Sequence, residues 1–206
     1  MFITFEGLDF CGKSTQVKLL KKYFENINKK VILIREPGGV KISEEIRDIL
    51  LDRKNEEMVF ETELLLFSAS RAQLVRETIL PYLSNGNIVI SDRFHDSSIA
   101  YQGYGRGLEP KFVVDLQNFA IGSAIPDITF FIDIPVEEVL IRKNNVAKSE
   151  LDRIEVSQND FYKKVREGYK ILATNEERFF TLDGLTSIEE IHKKIINKIE
   201  QMLKEK

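Results

Sequence analysis

Five short apolar runs recur along the chain, at residues 2–6, 31–35, 88–91, 128–133 and 179–182. They lack the apolar–polar alternation of a strand wetted on one side, and so read as strands covered on both faces. Between them apolar residues fall three and four apart. In 14–27 these are Val17, Leu19, Leu20 and Phe24; in 43–51 they are Ile46, Ile49 and Leu50. Further helical spacing covers 61–83, 110–120, 136–144, 158–174 and 187–204. Strand alternating with helix predicts crossover units, a five-stranded parallel sheet flanked by helices, and ligand sites outside the carboxyl ends of the strands. Pro37-Gly38-Gly39, Asn85-Gly86-Asn87 and 103–107 read as turns. Segment 142–156, RKNNVAKSELDRIEV, is charged and apolar-poor, and predicts an exposed, mobile excursion.

Length and composition narrow this picture without changing it. A chain of 206 residues suits one domain, and with no repeat or linker the expectation is a single unit over 1–206. The net charge of -3 gives no basic excess, which argues against nucleic acid as a partner. The one cysteine, Cys11, rules out an intrachain disulfide, and His95 and His192 lack neighbouring soft ligands, so a zinc site is not expected. No apolar run approaches membrane-spanning length. The FITFEG stretch after Met1 shows no secretory pattern, so the expectation is a cytoplasmic protein.

The chemistry begins at residues 7–14, GLDFCGKS, which match G-x-x-x-x-G-K-[ST] between a predicted strand and a predicted helix. Gly7 and Gly12 let the backbone curl so that successive N–H groups point at phosphate oxygens, and the following helix adds its positive end. Lys13 can reach the β/γ-phosphates of a nucleoside triphosphate and the Ser14 hydroxyl can join a Mg²⁺ shell. The expected ATP-binding set is therefore Gly7, Leu8, Asp9, Phe10, Cys11, Gly12, Lys13, Ser14 and Thr15. Asp92, closing the strand at 88–91, is a second candidate for the metal, partly through water; it also fits a helix N-cap. Arg35, Arg47, Arg71 and Arg93 gather near predicted strand ends and could hold a second anion. Phe67 and Arg71 are four apart on one helix, which suits a nucleobase clamp but equally a core ring beside a solvated arginine.

FEGLDFCGKSTQ, REPGG (35–39) with EEIR (44–47), LLLFSASR (64–71), DRFHDSSIAYQG (92–103) and ELDRIE (150–155) together resemble the bacterial thymidylate kinases, in that family's order and over most of the chain. The resemblance implies a three-layer P-loop nucleotide kinase fold with a short lid near 142–156, acting as a homodimer. It implies transfer of the γ-phosphoryl of ATP, with Mg²⁺, to dTMP. It places thymine on Phe67 with Arg71 on its exocyclic oxygen, and completes the base pocket with Ser98 and Gln102. Arg47 and Arg93 would grip the acceptor phosphate, Glu36 would stand beside metal and acceptor, Asp9 would contact the 3′-hydroxyl, and Tyr101 would crowd the 2′ position. In one branch of the family a phosphate-loop arginine supplies the catalytic cation; Phe10 stands there here. Arg142, Lys148 and Arg153 of the lid are then the candidate catalytic cations beside Lys13, Asp9 and Arg93. Other small-molecule kinases of this architecture, or a P-loop switch, remain open on the loop alone, although no N-K-x-D guanine motif is present.

Overall fold

The computed structural model describes residues 1–145, 147, 151–155 and 159–204. Five strands form one all-parallel sheet: β1 (Phe2–Glu6), β2 (Val31–Arg35), β3 (Ile88–Asp92), β4 (Ile128–Asp133) and β5 (Phe179–Asp183), in the order β2-β3-β1-β4-β5. Each strand found corresponds to a predicted apolar run. Central β1 buries all five of its residues.

Alternate residues of the sheet feed two separate cores. On one face Ile3, Phe5, Ile90, Phe130 and Ile132 pack with Val17, Leu20 and Phe24 of α1 (Lys13–Asn26) and with Ile191, Ile195 and Ile199 of α9 (Ile188–Lys204). Tyr162, Val165 and Tyr169 of α8 (Asn159–Asn175) join that core. On the other face Phe2, Ile34 and Val89 meet Leu74 of α3 (Phe60–Leu74) and Ile121 of α6 (Pro110–Ile121). The result is three layers, helix–sheet–helix. Helices α2 (Lys41–Leu51), α4 (Leu80–Ser84), α5 (His95–Ser98) and α7 (Val136–Lys143) complete the described set.

Two features differ from the sequence pattern. The helical run anticipated over 61–83 is interrupted by a π-helical turn, Val75–Ile79, between α3 and α4. Pro81 follows it; the ring has no N–H to donate and crowds the preceding turn, which the wider π geometry accommodates. Residues 103–107, read as a turn, begin inside a second π-helical segment, Ile99–Gly105, continuous with α5. Gly105 is needed there for contact, since a Cβ would come within 2.7 Å of both Phe161 and Val165 on α8. The parallel register sets Phe5 and Arg35 level with Asp92, so β1, β2 and β3 end side by side. The segments leaving those three ends build the site.

Candidate active site

One cavity of about 540 Å³ opens at these strand ends. Its wall takes Asp9, Phe10, Gly12, Lys13, Ser14 and Thr15 from the loop after β1, and Arg35, Glu36 and Pro37 from the end of β2. Arg47 and Leu51 come from α2, Phe67 from α3, Asp92 and Arg93 from β3 and its exit, and Ser97, Ser98, Tyr101 and Gln102 from the helix beyond.

The loop is shaped by its glycines. Gly7 has a φ of 142°, and a Cβ there would lie 2.5 Å from the Ile132 carbonyl oxygen, so only glycine lets the loop rest on β4. Gly12, at φ 97°, occupies the N-cap of α1 and offers no capping side chain, leaving the first N–H groups of the helix for an anion. Lys13 is buried and folds back, its Nζ donating to the carbonyls of Leu8 (2.8 Å) and Gly7 (3.2 Å). Ser14 Oγ donates to Asp92 Oδ2 at 2.6 Å. Gly7, Leu8 and Cys11 stand behind the cavity wall, and the Leu8 and Cys11 side chains pack into the core.

Asp9 and Arg93 form the charged centre. Arg93 adopts φ 70°, a left-handed conformation uncommon for a side chain of its size, which points the guanidinium back over the loop. Its Nη2 pairs with Asp9 Oδ1 at 2.5 Å and donates to Tyr101 Oη at 3.0 Å, while Nη1 donates to the Gly7 carbonyl at 3.0 Å. Tyr101 Oη in turn donates to Asp9 Oδ2 at 3.0 Å. Burial alone would raise the Asp9 carboxyl, but Arg93, Lys13 and the Tyr101 bond outweigh it and hold the group below the usual range. Glu36 behaves oppositely: burial pushes its carboxyl up despite Arg71. One oxygen, Oε2, takes the Arg71 bond at 2.6 Å, and the buried Oε1 has no partner among the described residues.

Arg71 and Arg153 depart from expectation. Arg71 is fully buried one layer behind the cavity, donating to Glu36, to Ser98 Oγ (2.9 Å), to Gln117 Oε1 (2.5 Å) and to the Phe94 carbonyl (3.0 Å). It supports Glu36 and Ser98. Arg153 is buried as well: its Nε donates to the Leu50 carbonyl at 2.8 Å and its Nη2 lies 2.7 Å from Glu63 Oε2. That engagement turns it away from the cavity. Leu151 and Ile154 are buried too, so residues 151–155 are not the exposed excursion anticipated, although 144, 145 and 147 are exposed; two scattered apolar residues gave too little periodicity to reveal it. Lys148 lies outside the described residues. Arg142 does line the cavity, with Nη1 on the Phe10 carbonyl (3.0 Å) and Nη2 on the Gly184 carbonyl (3.2 Å).

The comparisons with known proteins decide the family. A family model described as thymidylate kinase matches residues 5–195. A thymidylate kinase of Kosmotoga olearia is 48% identical over 206 residues, covering 99% of this chain and 97% of that one. Another, of Chlorobaculum tepidum, is 47% identical with 98% of each chain covered. The chain belongs to the thymidylate kinase family. A crystal structure of the Ehrlichia chaffeensis thymidylate kinase superposes with a TM-score of 0.78 at 36% identity, over 97% of this chain and 98% of that one.

Against that family background, seven wall residues were not named as site residues from the sequence: Arg35, Pro37, Leu51, Ser97, Asp152, Ile154 and Glu155. Arg35 stood in the arginine cluster, but nothing in the sequence showed it bracing Pro37 through Nη1 at 3.2 Å. Asp152 and Glu155 bring carboxylates where cations were expected, and burial raises both. Among the described residues no group of three or more His, Cys, Asp or Glu is placed to hold a metal. No described helix is long and apolar enough to cross a membrane.

Proposed function

We infer that the chain transfers the γ-phosphoryl group of ATP to dTMP, giving ADP and dTDP. The observation that carries this is a shared cavity in which the phosphate loop faces a second arginine set and a ring-and-amide pocket, Phe67, Ser98 and Gln102. A triphosphate on the loop and a nucleoside monophosphate beneath the arginines would then meet in line, which is most of what phosphoryl transfer requires.

The roles follow from placement. Backbone N–H groups from Gly7 to Thr15 cradle the donor phosphates, with Lys13 swinging from the loop carbonyls to the β/γ-oxygens. Arg142, seated on the Phe10 carbonyl, brings positive charge to the loop position that lacks an arginine. Ser14 and Asp92 offer one hydroxyl and one carboxylate, hard oxygen donors that fit Mg²⁺, an ion that keeps several waters and substrate oxygens. Bound there, Mg²⁺ supplies charge neutralisation on the phosphates. Arg47 and Arg93 hold the acceptor phosphate, whose second pKa of about 6 leaves it largely ionised and nucleophilic at neutral pH. Asp9 accepts from the 3′-hydroxyl, the unpartnered Glu36 Oε1 faces acceptor or metal water, and Tyr101, tied to Asp9 and Arg93, crowds the 2′ position. Phe67 stacks on the base; Ser98 and Gln102 read its edge; Arg71 holds Ser98 and Glu36 in place.

A coupled assay with ATP, Mg²⁺ and dTMP, dAMP, dCMP, UMP and GMP tests the reading. Turnover with dTMP well above the rest is expected; equal turnover across the panel would overturn it. The chain is further proposed to work as one domain, in the cytoplasm, and as a homodimer. Exposed Leu65 on α3 and Phe112 and Phe119 on α6 supply apolar surface for such pairing.

A further inference from the structure

Glu63 lies in the first turn of α3, its side chain wholly buried. One amide and two guanidinium groups, from two parts of the chain, converge on its carboxylate. Gln102 Nε2 donates to Oε1 at 2.8 Å. Arg106 donates Nε to Oε1 at 3.1 Å and Nη2 to Oε2 at 3.2 Å, its guanidinium held over the rings of Phe60 (5.0 Å) and Phe161 (4.3 Å). Arg153 completes the set as an ion pair without hydrogen-bond geometry, its Nη2 2.7 Å from Oε2.

Two arginines and a helix N-terminus around one carboxyl keep it ionised. Burial would raise it, yet the Arg106, Gln102 and Arg153 interactions more than compensate and hold it below the usual range. An ionised carboxylate has lone pairs only, so it accepts and never donates. The Gln102 group facing it must therefore be the amide NH₂. The amide is planar, and fixing its nitrogen fixes its oxygen: among the described residues Gln102 Oε1 receives no protein hydrogen bond, and Gln102 lines the cavity.

A fixed carbonyl acceptor beside a free N–H suits one kind of base edge. The imide of thymine or uracil presents N3–H to the carbonyl and an exocyclic oxygen to the second amide hydrogen. Cytosine presents an unprotonated N3 and an amino group, so both contacts become like against like. Were the amide free to flip, it would serve either base.

We propose that Glu63 is a positioning residue that sets the orientation of the Gln102 amide and thereby makes the acceptor pocket select a pyrimidine imide over cytosine, with Arg106 and Arg153 keeping it charged. The proposal rests on the dTMP reading above. The test compares Glu63→Gln with the unaltered protein, measuring kcat and KM for dTMP, dCMP and ATP. Glutamine can donate as well as accept, so Gln102 gains its second orientation. The expected result is a fall of at least tenfold in the dTMP-over-dCMP ratio of kcat/KM, with the KM for ATP within about twofold. If both monophosphates lose the same factor, Glu63 is structural only and the proposal is overturned. If the unaltered protein shows no preference for dTMP over dCMP, the dTMP reading fails first, and visibly so. Should circular dichroism show Glu63→Gln unfolded by its two unpaired arginines, the charge-balanced pair Glu63→Gln with Arg153→Gln is assayed in its place, against the same ratio.

Discussion

At the scale of single residues, the site depends on side chains that hold other side chains. Arg71 is the clearest case. Its guanidinium is buried among Glu36, Ser98, Gln117 and a carbonyl, so deleting it leaves Glu36 buried without a counter-charge. Removing one partner of such a pair costs about 3–5 kcal/mol. Arg71→Ala should lower the melting temperature by roughly 10 °C, on a scale of about 2–4 °C per kcal/mol for a chain this long. It should also raise the KM for dTMP about tenfold, through misplaced Ser98, while the KM for ATP stays near its original value. Scanning calorimetry together with steady-state kinetics checks both halves; an equal loss of ATP binding would mean the whole cavity had collapsed. Arg71→Lys keeps the charge but not the fork, and should recover less than half of the stability.

Among elements, the crossing of the π-helical segment Ile99–Gly105 with α8 matters most, because it carries Tyr101 and Gln102 into the cavity. Two glycines permit the approach. At Gly105 a Cβ would meet Phe161 and Val165 at 2.7 Å; at Gly168 it would meet Tyr104 at 2.7–2.9 Å. Neither glycine has a positive φ there, so the constraint is contact rather than backbone conformation. Gly168→Ala should therefore destabilise by about 1–3 kcal/mol, the usual penalty for overpacking. Urea unfolding would show this as a lower midpoint at unchanged slope. A substitution that left the midpoint in place would mean that the two helices can part without loss.

For the whole molecule, a cluster at the sheet's edge ties distant segments and sets an acid limit. Arg178, just before β5, binds Asp96 through both nitrogens at 2.7 and 2.8 Å and reaches His95 at 3.3 Å. Burial, with Arg178 and Arg71 adding to it against the pull of Asp96, depresses the His95 imidazole from 6.5 to about 4. The folded chain thus refuses a proton that the unfolded chain accepts. Stability must fall as pH drops from 6.5 towards about 4, by up to roughly 3 kcal/mol at about 1.4 kcal/mol per pH unit. His95→Gln should flatten that limb, leaving the loss due to Asp96, whose carboxyl is held low and whose contribution also fades in acid. Urea titrations at pH 7, 5.5 and 4.5 measure the difference; parallel curves would show that His95 plays no part in the acid limit.

Much of this was legible in the sequence, and for a local reason. A buried strand must be apolar on both faces, a phosphate loop needs glycines where its backbone curls, as at Gly7 and Gly12, and a helix must repeat near every third or fourth residue; each rule acts within about a dozen neighbours. Hence β1 to β5, the loop around Lys13 and most helices could be read directly from the order of residues. Whether a charged side chain faces a ligand or another side chain is decided by residues far along the chain. Arg71 meets Gln117, and Arg153 meets Glu63, across 46 and 90 positions of sequence. No periodicity records such pairings. Only the folded chain shows that the cation expected at residue 153 neutralises a buried carboxylate, and that the arginine expected on the base is itself buried among Glu36, Ser98 and Gln117.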